Sequence, residues 1–221
     1  MLLKAIILVY NHSVNKILKN YYFLFVLLSC LYFCRKVKLP CDMFRRIESG
    51  NHGGGGHMYR PIINLPKTKR EKVWDYIGGG IFLSSIALIF VLWGEIPDEI
   101  PGHFNGLGEV DRWGSKFELF ILPFVGLFLW ILMSLLEKAP HMHNYPARLN
   151  ESNVERFYLN SRKALNEIKN VCLIIFAILI FQIIQVSLGK LQSLGWWFTP
   201  LLIIGTAAFI IKSVITSSKI K

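Results

Sequence analysis

The chain has 221 residues, of which 53% are hydrophobic, and its formal net charge is +11. So much apolar sequence counts against a soluble domain, because too little polar surface would remain to cover its core. The positive charge suggests contact with anionic lipid headgroups rather than with nucleic acid, since no basic–aromatic pattern of a nucleic-acid-binding module is present.

Residues 1–57 differ in pattern from the rest of the chain. Their one apolar stretch, at 21–34, is short for a membrane span and has basic residues on both sides. Four consecutive glycines at 53–56 stand just before Met58 and allow two interpretations. Either they are a ribosome-binding site translated by mistake, with Met58 as the true start, or they form a flexible linker after one short extra helix.

Residues 58–221 form one predicted membrane domain. Four runs carry no charge for about one membrane thickness, which is roughly 17 to 25 residues. With the flanking interface residues included, the predicted spans lie at about 74–93, 117–136, 171–190 and 194–215. The predicted fold is an all-α integral membrane protein, a four-transmembrane-helix bundle with a short, turn-rich extracytoplasmic loop and an inner amphipathic helix.

Polar and small residues inside the spans are interpreted as packing features. Gly78, Gly79 and Gly80 leave a smooth surface on which another helix can lie closely. Gln182 and Gln185 are three residues apart and share one face of the third span. Side chains of this kind usually hydrogen-bond a neighbouring helix, and a polar translocation path is the alternative.

The loop charges predict the orientation of the domain. Basic residues precede the first span, and they again outnumber acids in the connection at 137–170, so both segments are assigned to the cytoplasm. The loop at 94–116 holds five acids against two basic residues and is assigned to the outside. The protein is therefore expected in the cell membrane as a multi-pass protein, with the N- and C-termini of the 58–221 domain cytoplasmic.

An inner amphipathic helix is predicted directly before the third span. Ser152 and Glu155 have the spacing of a capping box, in which each side chain satisfies a backbone N–H at the helix start. Apolar residues then recur on one helical face, with Arg and Lys on the other, which is interpreted as a solvated face. The apolar residues are Val154, Phe157, Leu165 and Ile168.

The loop at 94–116 is the densest set of chemically capable side chains in the sequence. Its prolines exclude a helix, and Asn105-Gly106 predicts a turn in which both residues tolerate positive φ. A short hairpin or compact loop follows, with His103 on one arm and Asp111 on the other. The candidate functional residues here are His103, Asn105, Gly106, Gly108, Asp111, Arg112, Trp113 and Lys116.

Two kinds of role are open for these residues. His103 could bind a divalent cation together with Glu109 and Asp111, or exchange a proton with Asp111. The spacing matches neither a zinc site nor an EF-hand, so no metal is predicted. In the structural alternative Asp111 caps a turn, while Arg112, Trp113 and Lys116 hold the loop at the headgroups.

A second candidate motif lies in the inner connection. Its two histidines, His141 and His143, would point to one side of an extended chain, which would suit a metal. An ordered turn, in which Asn144 and Tyr145 bond backbone groups, is favoured instead. The candidate residues are Pro140, His141, Asn144, Tyr145, Pro146 and Asn153.

These two ordered motifs also carry a resemblance. The order from Pro97 to Lys116, together with the inner motif, resembles a bacterial membrane domain of unknown function that also forms the N-terminal part of immunity proteins against the sporulation-delaying toxin. The similarity covers about residues 60–215, and two motifs at the right distance are more specific than either alone. The resemblance implies a multi-spanning membrane protein and little about its chemistry.

The sequence therefore favours recognition without catalysis. It contains no Ser–His–Asp order, phosphate loop or dinucleotide fingerprint, and no cofactor is predicted. The expected function is an immunity, sensing or envelope-associated role, with an extracytoplasmic peptide or toxin at the outer loop, a cytoplasmic protein partner, and the lipid bilayer around the spans. The alternative is a membrane enzyme or transporter acting on a lipid or cell-wall substrate, with His103, Asp111 and Arg112 as its polar centre.

Overall fold

The computed structural model describes residues 60–220, and the expectations for residues 1–57 lie outside that range. The described chain is mostly helical and carries one two-stranded hairpin. Four of its helical segments are long and apolar enough to cross a membrane, which confirms the predicted all-α, four-helix membrane protein. In order, the elements are α1 Lys69–Val91, β1 Glu99–Phe104, β2 Val110–Ser115, a 3-10 turn Lys116–Phe120, α2 Ile121–Glu137, a 3-10 turn Pro140–Met142, α3 Val154–Ser187 and α4 Phe198–Lys219.

Helix α1 begins with a capping box formed by Thr68 and Glu71, which was not predicted. The Thr68 hydroxyl accepts the Glu71 backbone N–H, and the Glu71 carboxylate accepts the Thr68 backbone N–H. The box predicted at Ser152 and Glu155 is wrong. Helix α3 starts after Asn153, and the Ser152 hydroxyl donates to the Asn150 side chain, which competes for it at 2.7 Å.

Helix α3 is the central element, since α1, α2 and α4 all pack against it. Its 34 residues join the predicted amphipathic helix and the predicted third span without a break. The predicted apolar face is buried, as expected for Val154, Phe157, Leu165 and Ile168. The opposite face is not simply solvated, because Arg162 and Lys169 are each only 2% exposed.

The glycines of α1 allow close helix packing, as predicted for two of the three. A Cβ on Gly78 would lie 2.5 Å from the Asn170 Oδ1 of α3, and one on Gly79 would lie 3.0 Å from the Trp130 ring of α2. Gly80 faces open space instead. Small residues of this kind let helix backbones approach closely within a membrane.

The alternating helix directions give the domain two ends. The connections 92–115 and 188–197 meet at one end, which we name the hairpin end after β1 and β2. At the other end, Ile63 and Leu65 pack against the cluster that contains Tyr145 and Leu149 of the connection 138–153, and we name it the charged end after its ion pairs.

Candidate functional site

The predicted outer loop is an antiparallel hairpin in the structure. Strand β1 pairs with β2 so that Pro101 faces Trp113 and His103 faces Arg112, with irregular register on both sides of His103. This confirms the predicted arms. Prolines at 97 and 101 keep the segment out of a helix, and the irregular register re-aims the side chains near the tip.

Asn105 organises the turn at the hairpin tip. Its Oδ1 accepts the backbone N–H groups of Leu107 at 2.9 Å and Glu109 at 3.0 Å. The Gly108 N–H then closes the turn on the Asn105 carbonyl, and Gly108 takes a φ of 82°. The prediction of positive φ at Gly106 is therefore wrong. The Asn105 side chain forms the first bend by itself, so the left-handed residue comes two positions later.

The hairpin tip is fixed to the connection between α3 and α4. The Gly108 carbonyl accepts the Leu194 N–H at 2.8 Å, and the Gly106 carbonyl accepts the Thr199 hydroxyl at 3.1 Å. Gly108 also lies so close to Gly195 that a Cβ would stand 2.9 Å from the Gly195 carbonyl oxygen. The tip is consequently held by backbone contacts that do not depend on its chemically capable side chains.

Ion pairs fix the other end of the hairpin. The Arg112 guanidinium donates to both carboxylate oxygens of Glu118, at 3.2 and 2.7 Å, and to the Gly102 carbonyl at 2.7 Å. The hydrogen bonds to Glu118 raise the pKa of Arg112. Lys116 pairs with Asp98 at 3.1 Å and lies 5.0 Å from the centre of the Trp93 ring. Both cations therefore brace the hairpin within the chain, in addition to any headgroup contact.

His103 and Asp111 form the one acid–base pair of the hairpin. The imidazole Nδ1 contacts the Asp111 carboxylate, and the His103 side chain is 15% exposed against 42% for Asp111. Nε2 is buried and has no partner among residues 60–220.

The structure separates the other residues considered for a cation. The Glu109 carboxylate accepts the Asn105 amide at 2.9 Å and does not join His103 and Asp111. In the described part of the chain, no group of three or more His, Cys, Asp or Glu side chains could hold a metal ion. What remains chemically capable is a two-residue pair, beside the exposed side chains of Trp113 and Leu107.

The inner motif folds as a buried turn. Residues Pro140–Met142 form a single 3-10 turn, so the less favoured alternative, two histidines on one side of an extended chain, does not hold. His143 is buried, with Nε2 bonded to the Leu136 carbonyl at 3.1 Å and Nδ1 to the Ser161 hydroxyl at 2.6 Å, while His141 is partly exposed. Burial lowers the pKa of His143 to about 4.

The remaining inner candidates have structural partners or are exposed. The Tyr145 hydroxyl donates to the Pro140 carbonyl at 2.8 Å, as expected, and burial raises its pKa. Asn153 accepts the Asn150 N–H and donates to the Arg148 carbonyl, both at 2.9 Å. Asn144 and Pro146 are exposed, so the expected Asn144 contact to the backbone does not hold the turn.

Sequence reasoning missed a network of ion pairs at the charged end. Lys67 and Lys169 each bridge the carboxylates of Asp75 and Glu137, and all four N–O distances lie between 2.5 and 2.8 Å. Asn166 and Asn170 also donate to Asp75, at 2.8 and 3.0 Å. Burial acts against the charge of Lys67, but the hydrogen bonds to the two carboxylates outweigh it and raise its pKa.

A second buried pair fastens the segment before α1. Arg162 bonds both carboxylate oxygens of Glu71, at 2.9 and 3.0 Å. The same guanidinium donates to the backbone carbonyls of Leu65 and of Pro66. One arginine of α3 thereby joins the start of α1 to the extended chain that leads into it.

A spacing signal for this network is present in the sequence. Glu71 and Asp75 are four apart on α1, and the polar residues of α3 recur at helical intervals of three and four. Those residues are Arg162, Asn166, Lys169 and Asn170. Lys169 lies 18 residues before Ser187, or about 27 Å along the helix, so the network marks the edge of a membrane-thick segment rather than its middle.

Comparisons with known proteins give one partial relative and one domain match. The chain is 32% identical over 91 residues to an uncharacterised protein of Archaeoglobus fulgidus, covering 38% of this chain and 48% of the relative. It thus spans about half the length of that relative. No solved structure matches. Residues 80–127, which run from α1 through the hairpin into α2, match a domain of unknown function, DUF1648.

Proposed function

We propose that this protein is a non-catalytic recognition protein of the cell membrane, with an immunity, sensing or envelope-associated role. Its hairpin end faces outward and binds an extracytoplasmic ligand, a peptide or toxin in the first instance. Support comes from the position of the domain match, which centres on the hairpin, and from the sequence resemblance to toxin-immunity proteins. The acid-rich loop favours the outward orientation.

The observation that carries the proposal is a rigid hairpin with an exposed surface. Arg112 and Lys116 hold its base, and backbone contacts to Leu194 hold its tip. Trp113 is nevertheless 55% exposed and Leu107 is 64% exposed. Rigid elements that present exposed aromatic side chains bind partners with little loss of conformational entropy.

The geometry of the polar side chains supports binding over catalysis. Arg112 lies opposite His103 in the hairpin, but its guanidinium is already bonded to Glu118 and to the Gly102 carbonyl. A catalytic constellation needs a nucleophile or charge stabiliser beside the acid–base pair. The pair itself is the observation that favours the alternative, a membrane enzyme or transporter acting on a lipid or cell-wall substrate.

A cytoplasmic protein partner is proposed at the charged end. Several basic side chains there are exposed, although others of the same run are buried in ion pairs. Among the exposed residues are Lys69, Lys72, Arg148, Arg156 and Lys163. Exposed charges steer association with an acidic surface.

The test is protection of a sensitive host strain against membrane-active peptides. Cells producing the full chain should survive a peptide that kills cells without it. Trp113→Ala should remove the protection and leave the membrane level of the protein unchanged. Phe124→Ala is the matched control, because Phe124 is an aromatic residue of α2 with 75% exposure away from the hairpin.

The outcomes separate the two candidate functions. Recognition of a toxic peptide would be contradicted if survival is the same for cells with wild type, with Trp113→Ala and with empty vector for every peptide tested. The enzyme alternative would instead be supported if wild type changes the lipid or cell-wall composition of the cells and His103→Ala does not.

A further inference from the structure

Basic side chains of α1 and α4 meet on the surface of α3. Arg70 Nη2 of α1 lies 3.0 Å, and Lys212 Nζ of α4 lies 2.8 Å, from the same oxygen atom, Oε1 of Glu167. The side chains of Arg70 and Lys212 are 67% and 53% exposed, whereas that of Glu167 is 12% exposed. Lys163, one turn before Glu167 on the same face of α3, is also exposed. Three open cations therefore surround one carboxylate, and the cluster as a whole is positively charged.

The same face of α3 stays open along the membrane. Beyond the first turn of α3, all of which is described, only Lys163 and Phe181 are exposed. These two residues are about five whole turns apart, so they lie on one line along the helix. Ile174 and Ile178 follow the same line between them and are partly exposed. An apolar stripe therefore runs from the cation cluster toward the hairpin end.

Helices α1 and α4 flank this stripe. Asn170 of α3 donates to the Asp75 carboxylate of α1 at 3.0 Å, and Asn160 of α3 donates to the Ser213 carbonyl of α4 at 3.3 Å. The stripe is therefore the floor of a groove with α1 as one wall and α4 as the other, which we name the α1–α4 groove.

Small residues keep the α4 wall of the groove open. Ala208 and Gly205 lie one and two turns before Lys212, on the same face of α4. Ala208 is exposed, and a Cβ on Gly205 would meet no atom within 4 Å. Space for an acyl chain is therefore present directly below the cation of α4.

The depth of the groove fits one leaflet. Ile178 follows Glu167 by eleven residues, which is about 16 Å along the helix. Half of the hydrocarbon thickness of a bilayer is about 15 Å. The cation cluster then lies at the level of the headgroups when Ile178 lies near the middle of the membrane.

We propose that the α1–α4 groove binds an anionic phospholipid from the leaflet at the charged end. Its phosphate contacts Arg70 and Lys212, and an acyl chain lies along Ile174 and Ile178. The order of polarity supports this occupant, because exposed cations attract anionic headgroups and lead directly into apolar side chains. The inference goes beyond the proposed function, since it concerns the other end of the molecule and requires no ligand at the hairpin.

A second copy of the chain fits the groove less well. A copy in the same membrane orientation would carry its own cation cluster at the same depth. Packing groove against groove would then place like charges opposite each other, which is unfavourable at an interface. A phospholipid supplies the opposite charge at that level.

The first experiment measures lipid binding by the purified full chain in dodecyl maltoside, a detergent without charge. Dioleoyl phosphatidylglycerol is the probe, and dioleoyl phosphatidylcholine, which has the same chains and no net charge, is the control lipid. Glycerol phosphate supplies the phosphate without acyl chains. Phosphatidylglycerol should raise Tm and remain bound in native mass spectrometry, and the other two should do neither. Equal responses to the two lipids, or an equal response to glycerol phosphate, would overturn the proposal.

Charge variants locate the headgroup. Arg70→Gln and Lys212→Gln should each weaken phosphatidylglycerol binding about fivefold, the effect of one basic residue at an anionic membrane surface. Lys72→Gln is the matched control, because Lys72 is exposed on α1 two positions from Arg70 and so on another face, and it should bind like wild type. Undiminished binding by both Arg70→Gln and Lys212→Gln would contradict the site.

Glu167→Gln separates lipid binding from a purely structural ion pair. It removes the carboxylate that competes with the phosphate for Arg70 and Lys212, so binding of phosphatidylglycerol should tighten even if Tm without lipid falls. A purely structural role of the ion pairs predicts instead that Glu167→Gln weakens binding as the two cation variants do. That result would overturn the proposal.

A groove variant tests the acyl chain. Ile178→Trp fills the groove without changing any charge, and it should weaken phosphatidylglycerol binding. Ile131→Trp is the matched control, because Ile131 is 61% exposed on α2, which does not border the groove, and it should bind like wild type. Undiminished binding by Ile178→Trp would contradict the groove. A wild-type dimer in light scattering that Ile178→Trp dissociates would also overturn the proposal, since a second copy would then cover the groove.

Discussion

At Gly108 the backbone turns with a φ of 82° beneath the backbone of Gly195. Two requirements meet there, a left-handed conformation and a contact too close for a side chain, and only glycine meets both without strain. Gly106, two residues earlier, has no atom within 4 Å of a Cβ position and no positive φ. The residue that matters for the tip is therefore not the glycine of the Asn-Gly dipeptide.

This difference predicts unequal effects of the same substitution. Gly108→Ala should lower the free energy of unfolding by about 1–3 kcal/mol, from backbone strain and displacement of Gly195. Gly106→Ala should change it by less than about 0.5 kcal/mol. Thermal melting and protease resistance of both variants measure this, and equal behaviour of the two would contradict the observed turn.

His143 predicts a loss of stability in acid. Its pKa is lowered from the usual 6.5 to about 4 in the folded protein. Between these values the unfolded chain binds a proton that the folded chain does not, so stability falls as pH falls from about 6.5 to about 4. The full loss is about 3 kcal/mol. His143→Gln should flatten this part of the pH–Tm curve, and His141→Gln should retain it; a curve unchanged by His143→Gln would refute the assignment.

Among the elements, α3 buries both a periodic apolar face and several polar or charged side chains. Its apolar face could be predicted, because Val154, Phe157 and Leu165 recur with helical period and are buried. Which of its charged side chains are buried could not be predicted. A lysine on a helix has the same local sequence pattern whether it contacts water or a carboxylate of another helix. The carboxylates that bury Lys169 come from Asp75 and Glu137, which are distant in sequence.

Substitution of the two lysines of α3 should therefore lower the free energy of unfolding by different amounts. Lys169→Met removes a cation shared by two carboxylates in a buried site and should cost about 3–5 kcal/mol. Lys163→Met, six positions earlier on an exposed position, should cost less than about 0.5 kcal/mol. Melting of both variants in the same detergent gives the comparison. Similar Tm values would mean that the network at the charged end contributes nothing beyond an exposed charge.

For the candidate site, the hairpin itself could be predicted from the sequence, but most of its contacts with other elements could not. The hairpin and the His103–Asp111 arms follow from prolines, turn residues and their spacing. The docking of the tip on Thr199 and Leu194 could not be foreseen, because it depends on how α3 and α4 place their connection. The engagement of Arg112 by Glu118 was missed for a related reason, since the acid lies in the 3-10 turn before α2, outside the loop that was considered.

At the scale of the whole molecule, exposed acidic and basic side chains are distributed unequally between the two ends. The hairpin end exposes five acids, whereas basic side chains, among them Lys69, Lys72 and Arg148, predominate among the exposed charges of the charged end. Those acids are Glu95, Asp98, Glu99, Glu109 and Asp111. Basic segments stay on the cytoplasmic side of membranes, so the distribution predicts that the hairpin end faces outward.

Thiol labelling in intact cells tests this orientation. The background is a chain whose cysteines at 30, 34, 41 and 172 are replaced by alanine. Ser115→Cys lies on the hairpin and Asn144→Cys on the inner connection, and both positions are exposed. Ser161 is a poorer choice, because its hydroxyl bonds His143. An impermeant maleimide should label position 115 in intact cells and position 144 only after lysis.

Both label positions are exposed in the fold, so a difference between them in intact cells reports the membrane barrier and not local packing. The reverse pattern would place the hairpin inside the cell, beyond the reach of any extracytoplasmic ligand. Labelling of both positions from outside would contradict the single membrane span that α2 forms between them. Because α2 alone separates the two positions, the result fixes the direction of that helix, and the alternating helices then fix all four.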